Sequence, residues 1–172
     1  MSAMNKPILY LFIGYPGAGK TTVAKIIANS TGAVHLWADV ERHKLFEHTT
    51  HSRTESLQLY DRLNREAGAL LAAGRSVVFD TNFNFYADRQ KLHRIAAAHS
   101  AETKLIWITL PKHLAKSRSV DHPRIRNGYK VSMGERRFES IVAKLEPPRE
   151  DEKFIKIDGR KLDKPTVLAL LS

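Results

Sequence analysis

Apolar residues fall into two patterns that alternate along the chain. Continuous apolar runs of strand length occupy 7–13, 33–37, 75–80, 103–110 and 153–158. The segments between them repeat their apolar positions at helical spacing. Residues 22–28 read as a buried helix with Gly32 just past its end. Ser52-x-x-Glu55 is a capping box, and the helix after it carries Leu57, Tyr60, Leu63, Ala67, Leu70 and Leu71 before stopping at Gly74. Its first half is expected to stand out from the core. Residues 85–98 form another helix with Leu92, Ile95 and Ala96 inward. Ser132-x-x-Glu135 reads as a second capping box, opening a helix that Pro147-Pro148 ends, and 165–171 closes the core. Strand alternating with helix predicts a parallel sheet flanked by helices.

The junction between the first strand and first helix carries the strongest chemical signal. Gly14-Tyr15-Pro16-Gly17-Ala18-Gly19-Lys20-Thr21 fits G-x-x-x-x-G-K-[ST], the phosphate-binding P-loop, in the strand–loop–helix context that the motif requires. Its glycines let successive N–H groups point inward at phosphate oxygens, and the helix adds its positive dipole end. The expected phosphate-binding stretch is Gly14, Pro16, Gly17, Ala18, Gly19, Lys20, Thr21 and Thr22. Lys20 is expected to reach the β- and γ-phosphates of ATP, and the Thr21 hydroxyl to ligate Mg²⁺.

Other candidates sit at strand ends, where open α/β sheets bind ligands. Asp39 follows the second strand. It is either a helix cap or a carboxylate placed to take a proton from an attacking hydroxyl. Arg42, one helical turn on, either faces the same cleft or is an ordinary surface arginine. Asp80 ends the third strand as a magnesium-supporting acid would. Thr81 and Asn82 follow it, serving either substrate or a simple turn. Asp88 suits its helix dipole, whereas Arg89 in a first turn is less expected there and is a candidate for an acceptor phosphate. His43, His48 and His51 show no metal-ligand spacing and read as polar surface.

Composition narrows the classes. The chain has 172 residues, enough for one domain with a sizeable core, and no cysteine, which excludes disulfide and thiol chemistry. No apolar run is long enough to span a bilayer, and the first leads straight into the phosphate motif, so a cytoplasmic protein is expected. The net charge is +10. Residues 112–137 hold eight Lys/Arg against Asp121 and Glu135, a net +6. Within them, 118–130 is basic, broken by proline and glycine, and not periodic. It reads as a mobile lid whose Arg118, Arg124 and Arg126 neutralise charge during phosphoryl transfer.

Taken together, these stretches resemble the small P-loop kinases of the zeta-toxin and polynucleotide-kinase-like group, often labelled AAA-family ATP-binding proteins. The resemblance rests on 14–21, Asp39-x-x-Arg42, Leu71 through Asn82, Asp88-Arg89, the arginine lid and the closing Pro-Pro-x-Glu…Ile-Asp segment. It implies a three-layer α/β/α sandwich with a five-stranded parallel sheet in order 2-3-1-4-5, spanning 1–172 as one kinase domain. By position, it implies that Lys20 and Thr21 bind ATP and magnesium, and that Asp80 supports the metal. Asp39 becomes the general base, Arg42 positions an acceptor phosphate, and Arg118, Arg124 or Arg126 stabilises the moving phosphoryl group. The expected acceptor is a nucleic-acid 5′-hydroxyl or a nucleotide. The alternatives are a small metabolite, such as a sugar, an antibiotic or a zeta-toxin-like nucleotide sugar, and a slow nucleotide-dependent ATPase or RNA-binding switch.

Overall fold

A computed structural model describes residues 5–122, 124–126, 129–131 and 133–172, with side chains for 5–122 and 133–172. Five parallel strands, β1 (Ile8–Ile13), β2 (Val34–Trp37), β3 (Val77–Asp80), β4 (Glu102–Thr109) and β7 (Phe154–Asp158), form one sheet in the order β2-β3-β1-β4-β7. This is the 2-3-1-4-5 order, counting β7 as the fifth strand of the sheet. Strand β1 is buried on both faces, so it is apolar at every position rather than at alternate ones. Its side chains divide between two cores. Leu9, Leu11 and Ile13 join Val77 and Phe79 beneath α3 (Arg53–Ala72) and α4 (Tyr86–Ala98). Tyr10 and Phe12 join Val78, Ile106 and Ile108 on the other face, with α1 (Lys20–Thr31), α6 (Glu135–Lys144) and α7 (Lys164–Leu171). The three layers follow from that split.

Helix ends obey local chemistry. Gly32 closes α1 in the left-handed region at φ 72°, where a side chain is disfavoured. Asp163 caps α7 through the Thr166 N–H, with Pro165 at the start of the helix. The first capping box is half made: Ser52 accepts from the Glu55 N–H, but the Glu55 carboxylate turns to Arg42 and Thr50. The second box is not the start of α6. Its N-cap is Gly134, Glu135 pairs with Lys116, and Ser132 lies outside the described residues. Helix α3 does not stand away from the core, because Leu59 and Leu63 are fully buried.

The lid differs from its sequence reading. A short helix α5 (Lys112–Lys116) widens into a π-helical turn, Ser117–Asp121. An antiparallel hairpin follows, β5 (Arg124–Arg126) with β6 (Tyr129–Val131), pairing Arg126 with Tyr129. The sequence between the strands is Asn-Gly, a strong hairpin signal in any chain. No helix among the described residues is long and apolar enough to cross a membrane.

Candidate active site

The C-terminal ends of β1, β2 and β3 open onto one cleft of about 200 Å³. Its walls include Pro16, Gly17, Gly19, Lys20 and Thr21 of the loop and helix after β1, Asp39 and Arg42 of α2 (Ala38–Leu45), and Asp80, Thr81 and Asn82 after β3. Arg118, Ser119, Met133 and Arg137 enclose it from the later part of the chain. Parallel pairing of β2 with β3 aligns Trp37 with Asp80, so the two strands end level and deliver their following residues to the same place.

The phosphate loop is shaped by close approach. Gly17 sits at φ 82°, and a Cβ there would come within 2.5 Å of the Ala115 carbonyl oxygen. Only glycine allows α5 to rest directly on the loop. Helix α1 begins at Lys20 without a side-chain cap and without an acid of its own in the first turn, so its first N–H groups are not taken by a local carboxylate. The Lys20 ammonium donates to the carbonyls of Gly14 and Tyr15 at 2.9 Å each, which curls its stem back over the loop.

Thr21 Oγ1 donates to Asp80 Oδ1 at 3.2 Å, and Asp80 is buried to 4% exposure. A hydroxyl and a carboxylate side by side are hard oxygen donors suited to Mg²⁺. Among the described residues no group of three or more His, Cys, Asp or Glu side chains is arranged to hold a metal ion by itself.

Asp39 sits in the first turn of α2 rather than capping it; the N-cap is Trp37. It is exposed and lines the cleft, and among the described residues its carboxylate accepts no side-chain hydrogen bond. Arg42 is different. It lines the cleft but is only 5% exposed, and its Nη1 donates to Glu55 Oε1 at 2.6 Å. Burial alone would raise the Glu55 pKa. The Thr50 N–H, the Arg42 guanidinium and the Thr50 hydroxyl overcome that effect and hold it at about 2. Arg42 is thus paired with Glu55, while its buried Nε has no hydrogen-bond partner among the described residues.

Arg89 requires a firmer correction. It is completely buried and holds Glu152 with two bonds, Nε to Oε1 at 2.7 Å and Nη2 to Oε2 at 2.8 Å. Its remaining N–H groups meet the carbonyls of Phe83, Glu146 and Pro147. It is a structural cross-link outside the cleft, not an acceptor contact. Among the three lid arginines, Arg118 lines the cleft and donates to the Gly159 carbonyl at 3.1 Å. The side chains of Arg124 and Arg126 lie outside the described residues. Asn82 and Thr81 line the cleft, Thr81 sharing a 2.8 Å hydrogen bond with the Tyr60 hydroxyl.

Three residues in or beside the site were given no role by sequence reasoning, which read His51 as polar surface and passed over His35 and Arg137. His35 Nε2 is 2.9 Å from Asp80 Oδ2, and His51 Nδ1 is 3.2 Å from Arg137 Nη2. Neither histidine belongs to a motif, and Arg137 looks like any surface arginine of an amphipathic helix. No local signal marks them.

Residues 9–148 match a family model described as an AAA domain. No curated protein matches the chain. Solved structures share its fold at low identity. A sugar kinase from Janibacter sp. HTCC2649 superposes with TM-score 0.65 at 19% identity, over 95% of this chain and 90% of that one. A gluconokinase from Sinorhizobium meliloti 1021 gives 0.64 at 17%, over 97% and 89%. The APS kinase of Mycobacterium tuberculosis, in complex with AMPPNP and APS, gives 0.62 at 17%, over 96% and 98%. With the family model spanning most of its length, this chain belongs to that AAA domain family, on a P-loop kinase-like α/β fold.

Proposed function

We propose that the protein is an ATP-dependent kinase, transferring the γ-phosphoryl group of ATP to an acceptor hydroxyl. The observation that carries this reading is the presence of Asp39 in the same cleft as Lys20, Thr21 and Asp80. A nucleotide switch needs the last three and has no use for the first. Phosphoryl transfer demands positioning and charge neutralisation more than covalent chemistry. The loop amides and Lys20 hold the β- and γ-phosphates. Thr21 and Asp80 hold Mg²⁺, which when bound neutralises phosphate oxygens. Asp39 receives the acceptor's hydroxyl proton as its oxygen bonds to phosphorus and the bond to the ADP leaving oxygen breaks. Arg118 meets negative charge from the side of the lid.

Two acceptor classes follow from the sequence, a 5′-hydroxyl nucleic-acid end or nucleotide and a small metabolite. The fold neighbours titled sugar kinase and gluconokinase favour the second. The zeta-toxin and polynucleotide-kinase-like grouping belongs to this reading too, as does a cytoplasmic setting. The test is label transfer from γ-labelled ATP to a panel holding both classes. Transfer to a hydroxyl supports the reading; nucleotide binding with no transfer to any acceptor defeats it.

A further inference from the structure

We propose that the acceptor is a small hydroxylated anion, a polyol or hydroxy acid carrying a carboxylate, sulfate or phosphate, and that Arg137 and His51 hold its charged group. This inference rests on the kinase reading above and names its substrate class.

The basic side chains Lys20, Arg42, Arg118 and Arg137 line the cleft. Lys20 bends over the phosphate loop, and Arg118 bonds to the Gly159 carbonyl beside that loop. Arg42 is buried and already ion-paired with Glu55. Arg137 is exposed, lines the same cleft, and has no carboxylate partner among the described residues. Its hydrogen bond is to His51, reached across 86 positions of sequence, from α6 to the loop before α3.

That bond sets the state of the histidine. A guanidinium can only donate, so His51 Nδ1 is an unprotonated acceptor, and a neutral ring then carries its proton on Nε2. Burial lowers the His51 pKa, and the charges of Arg137 and Arg42 lower it further, against the opposite pull of Asp39 and Glu55. Arg137 keeps further N–H donors, and His51 offers Nε2–H. Two adjacent donor groups, one permanently charged, suit an oxyanion.

The loop is built to present His51. The residue stands at φ 53°, a region that side chains seldom adopt. Backbone strain of this kind survives only where surrounding structure enforces it. Here the Glu55 carboxylate enforces it, accepting from the N–H groups of Thr50 and His51 while Arg42 neutralises it. The Arg42–Glu55 pair therefore shapes the turn that carries the anion donor. Asp39 lines the same cleft as His51 and Arg137, so the general base and the clamp face one space. The His51–Arg137 contact also ties the two walls of the cleft together. A compact acceptor leaves that tie in place, whereas a polymer passing between the walls has to break it.

The test uses matched acceptors: gluconate against glucose, glycerol 3-phosphate against glycerol, and a 5′-hydroxyl oligonucleotide. The anionic member of a pair is expected to be the better substrate. Arg137→Gln is expected to raise its KM about 10- to 100-fold, the worth of a charge-assisted hydrogen bond, with AMPPNP affinity unchanged. Arg137 is exposed, so the substitution does not threaten the fold. Equal use of neutral and anionic partners, an unchanged KM in Arg137→Gln, or preference for the oligonucleotide overturns the proposal. A second arm needs no turnover. With protein saturated by AMPPNP, gluconate and glycerol 3-phosphate are titrated while the His51 ring signals are followed by NMR. A shift in the wild type that is lost in Arg137→Gln supports the clamp even if no acceptor is phosphorylated. No shift with either anion overturns it even if the enzyme proves to be a kinase.

Discussion

His35 Nε2 lies 2.9 Å from Asp80 Oδ2, while Thr21 Oγ1 donates to the other oxygen of the same carboxylate. The acid is therefore held from both sides. β-Sheet register creates the contact: His35 pairs with Val78 and Trp37 with Asp80, so the histidine on β2 reaches across to the end of β3. Its ring is fixed in turn by stacking on Trp37, 5.2 Å away and 8° from parallel, and the Lys25 ammonium lies over the same indole at 4.7 Å. A carboxylate that ligates magnesium gains from such support, because a free rotor would sample unproductive orientations.

His35→Ala is accordingly expected to weaken binding of magnesium–AMPPNP about 10- to 100-fold, while binding of AMPPNP without metal stays at the wild-type level. His35→Gln, which keeps a donor, recovers part of the loss. Calorimetry with and without Mg²⁺ checks this; equal losses in both titrations would show that His35 supports the fold rather than the carboxylate.

Arg89 and Glu152 set a second expectation. The pair is buried, with side-chain exposures of 0% and 1%. Arg89→Met leaves a buried carboxylate without its partner, at a cost of about 3–5 kcal/mol. Urea denaturation measures it, and the folded fraction should bind AMPPNP as the wild type does. The double variant Arg89→Met/Glu152→Leu is expected to regain much of the loss, since no charge is then stranded.

Glu55 makes stability respond to acid. Its folded pKa of about 2 lies below the ordinary 4.5, so folding favours the ionised form. The associated stabilisation is fully present above pH 4.5 and is lost as pH falls toward 2. Wild-type protein should melt at higher temperature than Glu55→Gln at neutral pH. The gap should close across that window, as followed by circular dichroism. A gap that is constant with pH would mean that the carboxylate's charge is not what matters.

The parts of the molecule that were legible in the sequence are those written in contiguous residues. Apolar runs such as 8–13 read as strands because they are short and bounded by turn residues, and the glycine spacing of 14–21 needs no partner to be recognised. The acid at position 80 stood out because it ends such a run. Arg42 and Arg89 were legible as unusual but not in role, since their partners Glu55 and Glu152 lie 13 and 63 positions away. His51 was read as polar surface, and His35 and Arg137 carried no mark: sheet register brings His35 to Asp80, and tertiary packing, not spacing, brings His51 and Arg137 to the cleft. Residues 118–130 showed no periodicity in the sequence, because the strands within them, 124–126 and 129–131, are only three residues each, too short to display one.

The most direct test of the account is Asp39→Asn, a change that removes a base and keeps the shape. With an acceptor in hand, kcat is expected to fall about 100-fold or more, the scale of general-base catalysis, while calorimetric affinity for magnesium–AMPPNP is unchanged. Turnover at the wild-type rate in that variant would contradict the assignment of Asp39 as the base, and with it the kinase mechanism.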